Sequence, residues 1–160
     1  MNLIVCMNQN LGIGLNGNLL YNIPQDMEYF KSKTTGKTVI MGRKTYQSLR
    51  IKPLPNRRNI VLSKSENIPN VEVCKSKQDV LNLISDIPTS DIYIIGGSNV
   101  YKSFIDVVKV AYVTKIYDTS LADTFFPINF DTLPNWILAE KSKIYSHNGL
   151  KYSFNVYKNI

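Results

Sequence analysis

The sequence contains little cysteine, histidine or tryptophan, and it has no long apolar run. It has two cysteines, Cys6 and Cys74, and one histidine, His147. These residues supply neither a disulfide framework nor paired metal-ligand spacing, so no disulfide-rich scaffold and no metal site are expected. The apolar run at residues 3–7 is far shorter than the roughly 20 residues of a membrane helix, and no signal-peptide features flank it. The expectation is a cytoplasmic protein without membrane partners.

The overall composition is that of an ordinary globular protein. Hydrophobic residues make up 44% and charged residues 19% of the sequence, a balance that supports a sizeable core. A length of 160 residues predicts one domain over residues 1–160, and a monomer is expected. Nineteen basic and twelve acidic residues give a net charge of +7, which favours anionic partners. Composition leaves open whether these are nucleic acid or a phosphorylated cofactor with a carboxylated substrate.

Short apolar runs alternate with helical patterns as far as Val108. The runs are rich in Val and Ile and bounded by Gly, Pro or Asn, which is typical of strands buried on both faces in a mainly parallel sheet. The predicted strands are residues 3–7, 38–41, 59–62, 71–73 and 92–95, and the predicted helices are residues 24–34, 45–49, 78–86 and 99–105. Ser76 is the predicted N-cap of the third helix. Its core-facing residues are predicted to be Val80, Leu81, Leu83 and Ile84.

After Val108 the predicted strands become longer and cover residues 110–116, 136–144 and 151–159. In the last of these, Tyr152, Phe154 and Val156 alternate with polar residues, which predicts an antiparallel strand with one solvated face. The fold class is therefore predicted to be α/β. We expect a central, mostly parallel mixed sheet with an antiparallel C-terminal edge, flanked by four helices.

Residues 11–27 start as a loop rich in Gly and Asn directly after a buried strand, so this segment can approach a ligand closely. Pro24 suits the first position of the following helix and puts Asp26 in its first turn. The apolar residues at helical spacing form the predicted buried stripe, namely Ile23, Met27 and Phe30. Asp26 either complements the helix dipole, or faces a pocket where desolvation raises its pKa and makes it a proton handler or cation partner.

Two segments run from a strand through glycine into a helix start. In residues 39–46, Arg43 and Lys44 oppose the helix dipole unless an anion is bound there, and a phosphate would also meet the Thr45 hydroxyl. In residues 94–101, adjacent Gly96 and Gly97 allow the backbone to pass against a flat ring or a pyrophosphate. The dinucleotide-binding fingerprint is not matched, because its third glycine and its downstream acidic residue are missing. Exposed basic residues are also frequent at helix starts without a ligand, and a bare Gly-Gly is a weak signal.

Arginines in residues 53–59 follow a backbone stiffened by two prolines. Arg57 either clamps a carboxylate through its planar fork with little loss of entropy, or is a surface charge. Ser63 and Lys64 follow the carboxyl end of a strand, where ligands gather in open α/β sheets. A thiol nucleophile formed by Cys6 and His147 is disfavoured, because a free cysteine in an apolar strand behaves as a small hydrophobe.

Taken in chain order, these segments resemble the dihydrofolate reductases. The similarity rests on Gly12-Ile13-Gly14, Asn22-Ile23-Pro24-Gln25-Asp26-Met27, Met41-Gly42-Arg43-Lys44-Thr45, residues 53–59, Ile95-Gly96-Gly97 with Tyr101, and Asp123-Thr124-Phe125-Phe126-Pro127. The resemblance implies reduction of dihydrofolate to tetrahydrofolate, with NADPH as cofactor, by hydride transfer to the pterin ring and protonation of its N5. Such an activity supports one-carbon metabolism and thymidylate synthesis.

The same resemblance implies the residues of the site. The catalytic residues would be Asp26, Thr114 beside it, and Tyr21 in place of an indole that donates to an active-site water. The folate site would be formed by Val5, Cys6, Asp26, Met27, Phe30, Leu49, Leu54, Ile95, Tyr101 and Thr114, with Arg57 on the glutamate carboxylate. The cofactor site would be formed by Cys6, Met7, Ile13, Gly14, Asn18, Leu19, Gly42, Arg43, Lys44, Thr45, Leu62, Ser63, Lys64, Ile95, Gly96, Gly97, Ser98, Asn99, Val100 and Tyr101.

The chain departs from the family pattern at two places. Leu20 and Tyr21 stand where Pro-Trp is usual, which changes the donor to the active-site water and the proton route. Ser98 and Asn99 replace a glycine and a basic residue of some relatives, which affects the pyrophosphate contacts.

Two other functions compete with this interpretation. A basic nucleic-acid-binding domain follows from the charge of +7 alone. The aromatic residues fall mostly at core-periodic positions, so nucleic acid is not expected as an obligatory partner. A reductase of the same fold that acts on a riboflavin precursor is the nearer alternative, and both Asp26 and Arg57 argue against it.

Overall fold

A computed structural model describes residues 1–65 and 67–160. Its strands are β1 (Asn2–Asn8), β2 (Gly12–Leu15), β3 (Asn18–Leu19), β4 (Thr38–Gly42), β5 (Arg58–Leu62), β6 (Glu72–Cys74), β7 (Ile92–Gly96), β8 (Val110–Ile116), β9 (Thr124–Phe125), β10 (Trp136–Lys141), β11 (Tyr145–His147) and β12 (Leu150–Asn159). Its α-helices are α1 (Pro24–Thr34), α2 (Arg43–Ser48), α3 (Lys77–Leu83) and α4 (Ser98–Phe104). The predicted α/β class with four helices is confirmed. None of the helices in the described ranges has the length and apolar character to cross a membrane.

The main sheet has the order β10-β12-β8-β1-β7-β4-β5-β6, with β11 added beside β12. From β8 to β6, neighbouring strands are parallel. β12 is antiparallel to β8, β10 and β11, so the predicted antiparallel C-terminal edge is confirmed. Because parallel strands end on the same side, the carboxyl ends of β1, β4, β5, β7 and β8 share one edge, where ligands of open α/β sheets bind.

The central strands are apolar because helices cover both faces of the sheet. Along β1, Leu3 belongs to a core cluster that includes Val100 and Phe104 of α4. Ile4 points the other way, into a cluster that includes Tyr46 of α2 and borders α1. Each face of the strand is therefore dry, which explains the continuous apolar runs of the sequence.

The predicted strand at residues 136–144 is wrong, since the chain forms β10 and β11 with a break between them. The pairing of β10 with β12 shifts between Leu138 and Glu140. Beyond this bulge the Ser142 hydroxyl accepts the Phe154 amide at 2.8 Å, in place of a backbone carbonyl. A side-chain acceptor of this kind ends a regular ladder.

The solvated face predicted for β12 is also wrong. Ser153 and Asn155 are 0% and 2% exposed, because β12 lies between β8 and β10 instead of at the edge. The Ser153 hydroxyl donates to Asn155 Oδ1 at 2.8 Å and contacts the Tyr117 hydroxyl at 2.9 Å. The polar residues Ser153 and Asn155 of this alternating strand therefore make buried hydrogen bonds and do not contact water.

The third helix follows the prediction at its start and departs from it at its end. The Ser76 side chain accepts the Asp79 amide at 3.1 Å, which confirms the N-cap. α3 ends at Leu83, before the predicted residue 86. Leu83 is 37% exposed and not in the core, because Val80 and Ile84 fill the buried stripe. Elsewhere β6 and α4 are displaced by one residue from the prediction, and α2 begins two residues earlier.

The glycine-rich segment predicted as a pliable loop contains two short strands. β2 pairs with both β3 and β9 and forms a separate small sheet. Strands of four and two residues rich in Gly and Asn carry no alternating pattern, so the sequence did not reveal them. Pairing with β9 anchors the segment between β1 and α1 beside the carboxyl edge of the main sheet.

Candidate active site

Asp26 lies in the first turn of α1 and reaches the main sheet. The helix begins at Pro24, and the preceding residue, Ile23, is 2% exposed and holds the helix start in the core. The buried hydroxyl of Thr114 in β8 donates to Asp26 Oδ1 at 2.5 Å. An aspartate that only complements a helix dipole does not need a buried side-chain donor. The contact therefore favours the pocket-facing interpretation of Asp26.

Burial controls the protonation of this carboxyl group. Loss of hydration raises the pKa of Asp26 above its ordinary value, while hydrogen bonding from Thr114 and from the neighbouring Cys6 thiol opposes that rise. Burial, and then the Asp26 charge, raise the pKa of Cys6 well above its usual range. Cys6 therefore remains a neutral thiol, which argues against a Cys6–His147 nucleophile. His147 itself lies in β11, where its ring contacts the Asn148 amide.

The sheet register gathers groups that are far apart in the sequence. Cys6 of β1 lies directly opposite Thr114 of β8. The Tyr101 hydroxyl of α4 donates to the Ile4 carbonyl at 2.7 Å. Burial, and then Cys6 and Asp26, raise the pKa of Tyr101 above its usual range. The carboxylate is thus surrounded by neutral donors and apolar surface, with no partner cation among these groups.

Most of the residues expected to wall a folate site lie on the α1 face of the sheet. Partly buried side chains pack there against Ile4, Val39 and Met41, namely Phe30, Leu49, Leu54 and Ile95. Val5 points to the opposite face and joins the cluster under α4. Its side chain therefore does not contribute to this wall.

Met27 is 52% exposed, so its predicted place in the buried stripe is wrong. Ile23 is the N-cap with extended backbone, φ −108 and ψ 115, and helical spacing counted from it does not hold. Leu19 of β3 is 80% exposed. Large exposed apolar side chains near a partly buried carboxylate are typical of a ligand-binding cleft.

Arg57 is held in a fixed orientation by two neighbours. Its Nε donates to the Pro55 carbonyl at 2.8 Å and its Nη1 donates to the Thr34 hydroxyl at 3.0 Å. A guanidinium has five N–H donors, and these contacts use two of them. The adjacent Arg58 binds both carboxylate oxygens of Glu72 at 2.7 and 2.9 Å. Of the two arginines, Arg57 is the one suited to clamp an added carboxylate.

Glycines leave the backbone bare where β4 and β7 end side by side, and the peptide bond between Gly96 and Gly97 is cis. Gly96 has φ +118, and a Cβ there would lie 3.3 Å from the Tyr101 ring. A Cβ on Gly42 would lie 3.1 Å from Val100. Because no side chain shields the main chain at these glycines, a flat or phosphorylated group can approach it closely.

Cations and hydroxyls border these glycines. Arg43 and Lys44 are exposed at the start of α2, and Lys64 is exposed after β5. Ser63 is buried in the same turn. On the other side, the Ser98 hydroxyl donates to the Phe125 carbonyl at 2.6 Å. We call Gly42, Gly96 and Gly97 the glycine edge, and Arg43, Lys44 and Lys64 its basic rim. Bare backbone beside these cations suits a phosphorylated ligand.

The family model described as dihydrofolate reductase matches residues 1–159. The chain belongs to the dihydrofolate reductase family. A dihydrofolate reductase of Buchnera aphidicola subsp. Baizongia pistaciae is 40% identical over 156 residues, which cover 98% of this chain and 93% of that protein. A dihydrofolate reductase of Staphylococcus haemolyticus is 34% identical, with 100% of this chain and 96% of that protein covered. A dihydrofolate reductase of Staphylococcus aureus is 36% identical over 89% of this chain and 87% of its own length.

In this dihydrofolate reductase family member, β2 and β3 lie beside the site and are tied to the segment before β9. The Asp123 amide donates to the Gly14 carbonyl at 3.0 Å, and Asp123 Oδ2 accepts the Asn16 amide at 3.0 Å. Ile13 is buried, whereas Asn18 and Leu19 of β3 are exposed. The residues expected to cover the nicotinamide therefore sit on a strand pair in which β2 is anchored and β3 is exposed.

Sequence reasoning missed a polar cluster at the end of β1. Asn8 is 1% exposed, and its amide contacts both the Tyr21 hydroxyl and the Ser120 carbonyl, at 3.2 and 3.0 Å. The Tyr21 hydroxyl donates to Asp118 Oδ2 at 2.5 Å. The only sequence signal was a polar residue that closes an otherwise apolar buried strand. Asn8 and Asp118 are thereby linked to Tyr21, one of the residues that the family resemblance singled out.

Proposed function

We propose that this protein reduces dihydrofolate to tetrahydrofolate with NADPH. The observation that carries the proposal is Asp26, a partly buried carboxylate held by Thr114 beside exposed apolar side chains. Thr114 and Cys6 beside it are neutral, so a ligand that donates N–H groups would satisfy its charge. Membership of the dihydrofolate reductase family supports the same activity.

Asp26 would accept hydrogen bonds from the amino group and the ring nitrogen of the pterin. The raised pKa of Asp26 brings its protonation closer to neutral pH, where a proton is most easily exchanged with a bound heterocycle. Thr114 orients the carboxylate and keeps one of its oxygens occupied. Asp26 thereby favours the protonated, electron-poor form of the ring, while N5 takes its proton by way of water.

The residues at the glycine edge suit NADPH, which when bound supplies the hydride. The bare backbone of Gly96 and Gly97, followed by residues 98–101, would hold the pyrophosphate and the ring. Ile13, Gly14, Asn18 and Leu19 would cover the nicotinamide. The adenosine end would be surrounded by Arg43, Lys44, Thr45, Ser63 and Lys64. Their charges and hydroxyls favour the additional phosphate of NADPH over NADH.

A spectrophotometric assay tests the proposal directly. Purified protein is mixed with NADPH and dihydrofolate, and the loss of cofactor absorbance is followed from mildly acidic to neutral pH. The expected result is turnover that requires both compounds and is slower with NADH. Absence of turnover throughout this range contradicts the proposal. Turnover of a riboflavin precursor in place of dihydrofolate, or binding of oligonucleotides without NADPH, would favour one of the rival functions.

Replacing Arg57 with lysine is expected to raise the KM for dihydrofolate about tenfold, because an ammonium cannot make the two parallel hydrogen bonds of a guanidinium to a carboxylate. The KM for NADPH should stay unchanged. Arg58→Lys is the matched control, since Arg58 is engaged by Glu72, and it should leave both constants unaltered. Equal effects of the two substitutions would show that Arg57 does not hold the substrate.

A further inference from the structure

Tyr21 lies between β3 and α1, and its hydroxyl is enclosed by two polar partners. It donates to Asp118 Oδ2 at 2.5 Å and accepts from Asn8 Nδ2 at 3.2 Å. Asp118 belongs to the connection between β8 and β9, where the same Oδ2 also accepts the Ser120 amide at 3.1 Å. We call Tyr21, Asp118 and Asn8 the phenol latch.

Asn8 fixes this latch to the main sheet. Its Nδ2 also donates to the Ser120 carbonyl at 3.0 Å. Its Oδ1 accepts the Asn10 and Gly12 amides at 3.0 and 2.8 Å. A carboxamide has two N–H donors and two acceptor lone pairs, so these contacts use its full capacity. A side chain held in this way at the end of β1 gives the latch a rigid base.

The protonation states of Tyr21 and Asp118 keep the hydrogen bond between them intact. Burial, and then the bond to Asp118, raise the pKa of Tyr21. Bonds from Ser120 and Tyr21 lower the pKa of Asp118. The phenol therefore stays protonated and the carboxylate stays charged through the neutral range. Because a phenol has a single proton, Tyr21 has none left to donate to a water molecule beside Asp26.

The segment that Tyr21 holds is otherwise anchored through its pairing with β2. Asn18 and Leu19 form the short β3, and both are exposed. Asp123 holds Gly14 and Asn16, where β2 turns into β3. Between β3 and the buried Ile23, Tyr21 supplies the side-chain contact to the β8–β9 connection. Without it, residues 18–22 would be joined to the rest of the protein through the pairing of β3 with β2 and through the Leu20 amide, which donates to the Ile13 carbonyl at 3.3 Å.

We propose that Tyr21 is a positioning residue, which acts through Asp118 to hold residues 18–22 against the β8–β9 connection and thereby over the nicotinamide. It does not donate a proton to the substrate site. The proposal rests on the proposed function, since it assigns the latched segment a place in the NADPH-dependent reaction. Leu20-Tyr21 stands where the family pattern usually has Pro-Trp, so the latch uses a phenol in place of an indole.

Four variants separate positioning from proton donation. Tyr21→Phe removes the hydroxyl, Asp118→Ala removes its acceptor, the double variant removes both, and Tyr117→Phe is the matched control. The Tyr117 hydroxyl contacts Ser153 and lies outside the latch. The rate of hydride transfer in a single turnover and the KM for NADPH are measured against pH. Circular dichroism and thermal melting are recorded for every variant.

If Tyr21 positions the segment, Tyr21→Phe and Asp118→Ala should each slow hydride transfer by roughly 3- to 10-fold, within the range for the net contribution of one typical hydrogen bond. Both should raise the KM for NADPH. The double variant should be no slower than the slower single variant, since one contact is lost in each case. The midpoint of the pH profile should remain that of the unaltered protein. Asp118→Asn, which keeps an acceptor oxygen, should recover part of the rate.

Either of two results would overturn the proposal. One is a shifted pH midpoint in Tyr21→Phe, and the other is an unaltered rate in Asp118→Ala. Hydrogen exchange of the amides in residues 18–22 gives an independent readout, and it should accelerate in both latch variants but not in Tyr117→Phe. If the unaltered protein does not reduce dihydrofolate at all, the proposed function fails, and hydrogen exchange still decides whether the latch holds this segment.

Discussion

Asp26→Asn is expected to lower the rate of dihydrofolate reduction by roughly 10²- to 10⁴-fold, the usual contribution of a positioned acid or base. Asparagine keeps the shape of the side chain and can still accept from Thr114. It cannot carry the negative charge that favours the protonated pterin. Affinity for NADPH should remain within about twofold, because the basic rim at Arg43 and Lys44 lies at a different part of the carboxyl edge. Single-turnover kinetics and fluorescence titration with NADPH check the two expectations.

Asp79→Asn is the matched control for Asp26. Asp79 also lies in the first turn of a helix, α3, and it is exposed at the protein surface. If Asp26 acted only on its helix dipole, the two substitutions would have similar small effects on stability and none on the rate. A rate for Asp26→Asn close to that of Asp79→Asn would therefore remove Asp26 from the mechanism.

Asp26→Asn is also expected to change the stability of the protein. Burial raises the pKa of Asp26 in the folded protein above the ordinary value of 3.8. Between the unfolded and folded pKa the native state binds more protons, so this group's contribution to stability is lost as pH rises through that window. An asparagine side chain at this position would stay neutral at every pH. Asp26→Asn should therefore melt at a higher temperature than the unaltered protein near neutral pH, with the difference shrinking toward pH 3.8. A lower melting temperature at neutral pH would contradict this reasoning.

Gly96→Ala is expected to destabilise the fold by about 1–3 kcal/mol and to weaken NADPH binding more than tenfold. Gly96 has φ +118, a backbone conformation that alanine rarely adopts, and its Cβ would lie 3.3 Å from the Tyr101 ring. Tyr101 is 4% exposed and its hydroxyl is bonded to Ile4, so the ring has little room to move. The strain must then move the backbone that the pyrophosphate would approach. Chemical denaturation and NADPH titration measure the two effects.

Two other glycines separate the causes. Gly36 has φ +78 and nothing within 4 Å of its Cβ position, so Gly36→Ala should show the backbone strain without any change in NADPH affinity. Gly97 has φ −82 and an ordinary contact of 3.5 Å to Thr45. Gly97→Ala should leave stability nearly unchanged and lower NADPH affinity only if the ligand lies against that backbone. Unaltered NADPH affinity in Gly96→Ala would place the cofactor elsewhere.

Local patterns along the chain were enough to predict the main sheet and to single out the candidate site residues. Continuous apolar runs such as Leu3, Ile4 and Val5 indicate strands covered on both faces, because burial is a local property of composition. The Ser76 cap was predictable for the same reason, since its partner Asp79 is three residues away. Asp26, Arg57 and the Gly96-Gly97 pair could be singled out from residue chemistry, and the family resemblance supplied their roles.

Contacts between distant parts of the chain could be read only from the folded structure. Thr114 reaches Asp26 through the pairing of β1 with β8 and the packing of α1 on them. Local periodicity contains no information about such contacts. For this reason it wrongly predicted that Met27 is buried and that Asn155 is solvated. The same limit concealed β2 and β3, because β2 also pairs with β9, a strand more than a hundred residues away. The local sequence pattern specifies the secondary structure that each segment prefers. Its contact partners are set by long-range packing, because the energy of a contact depends on both of the groups that make it.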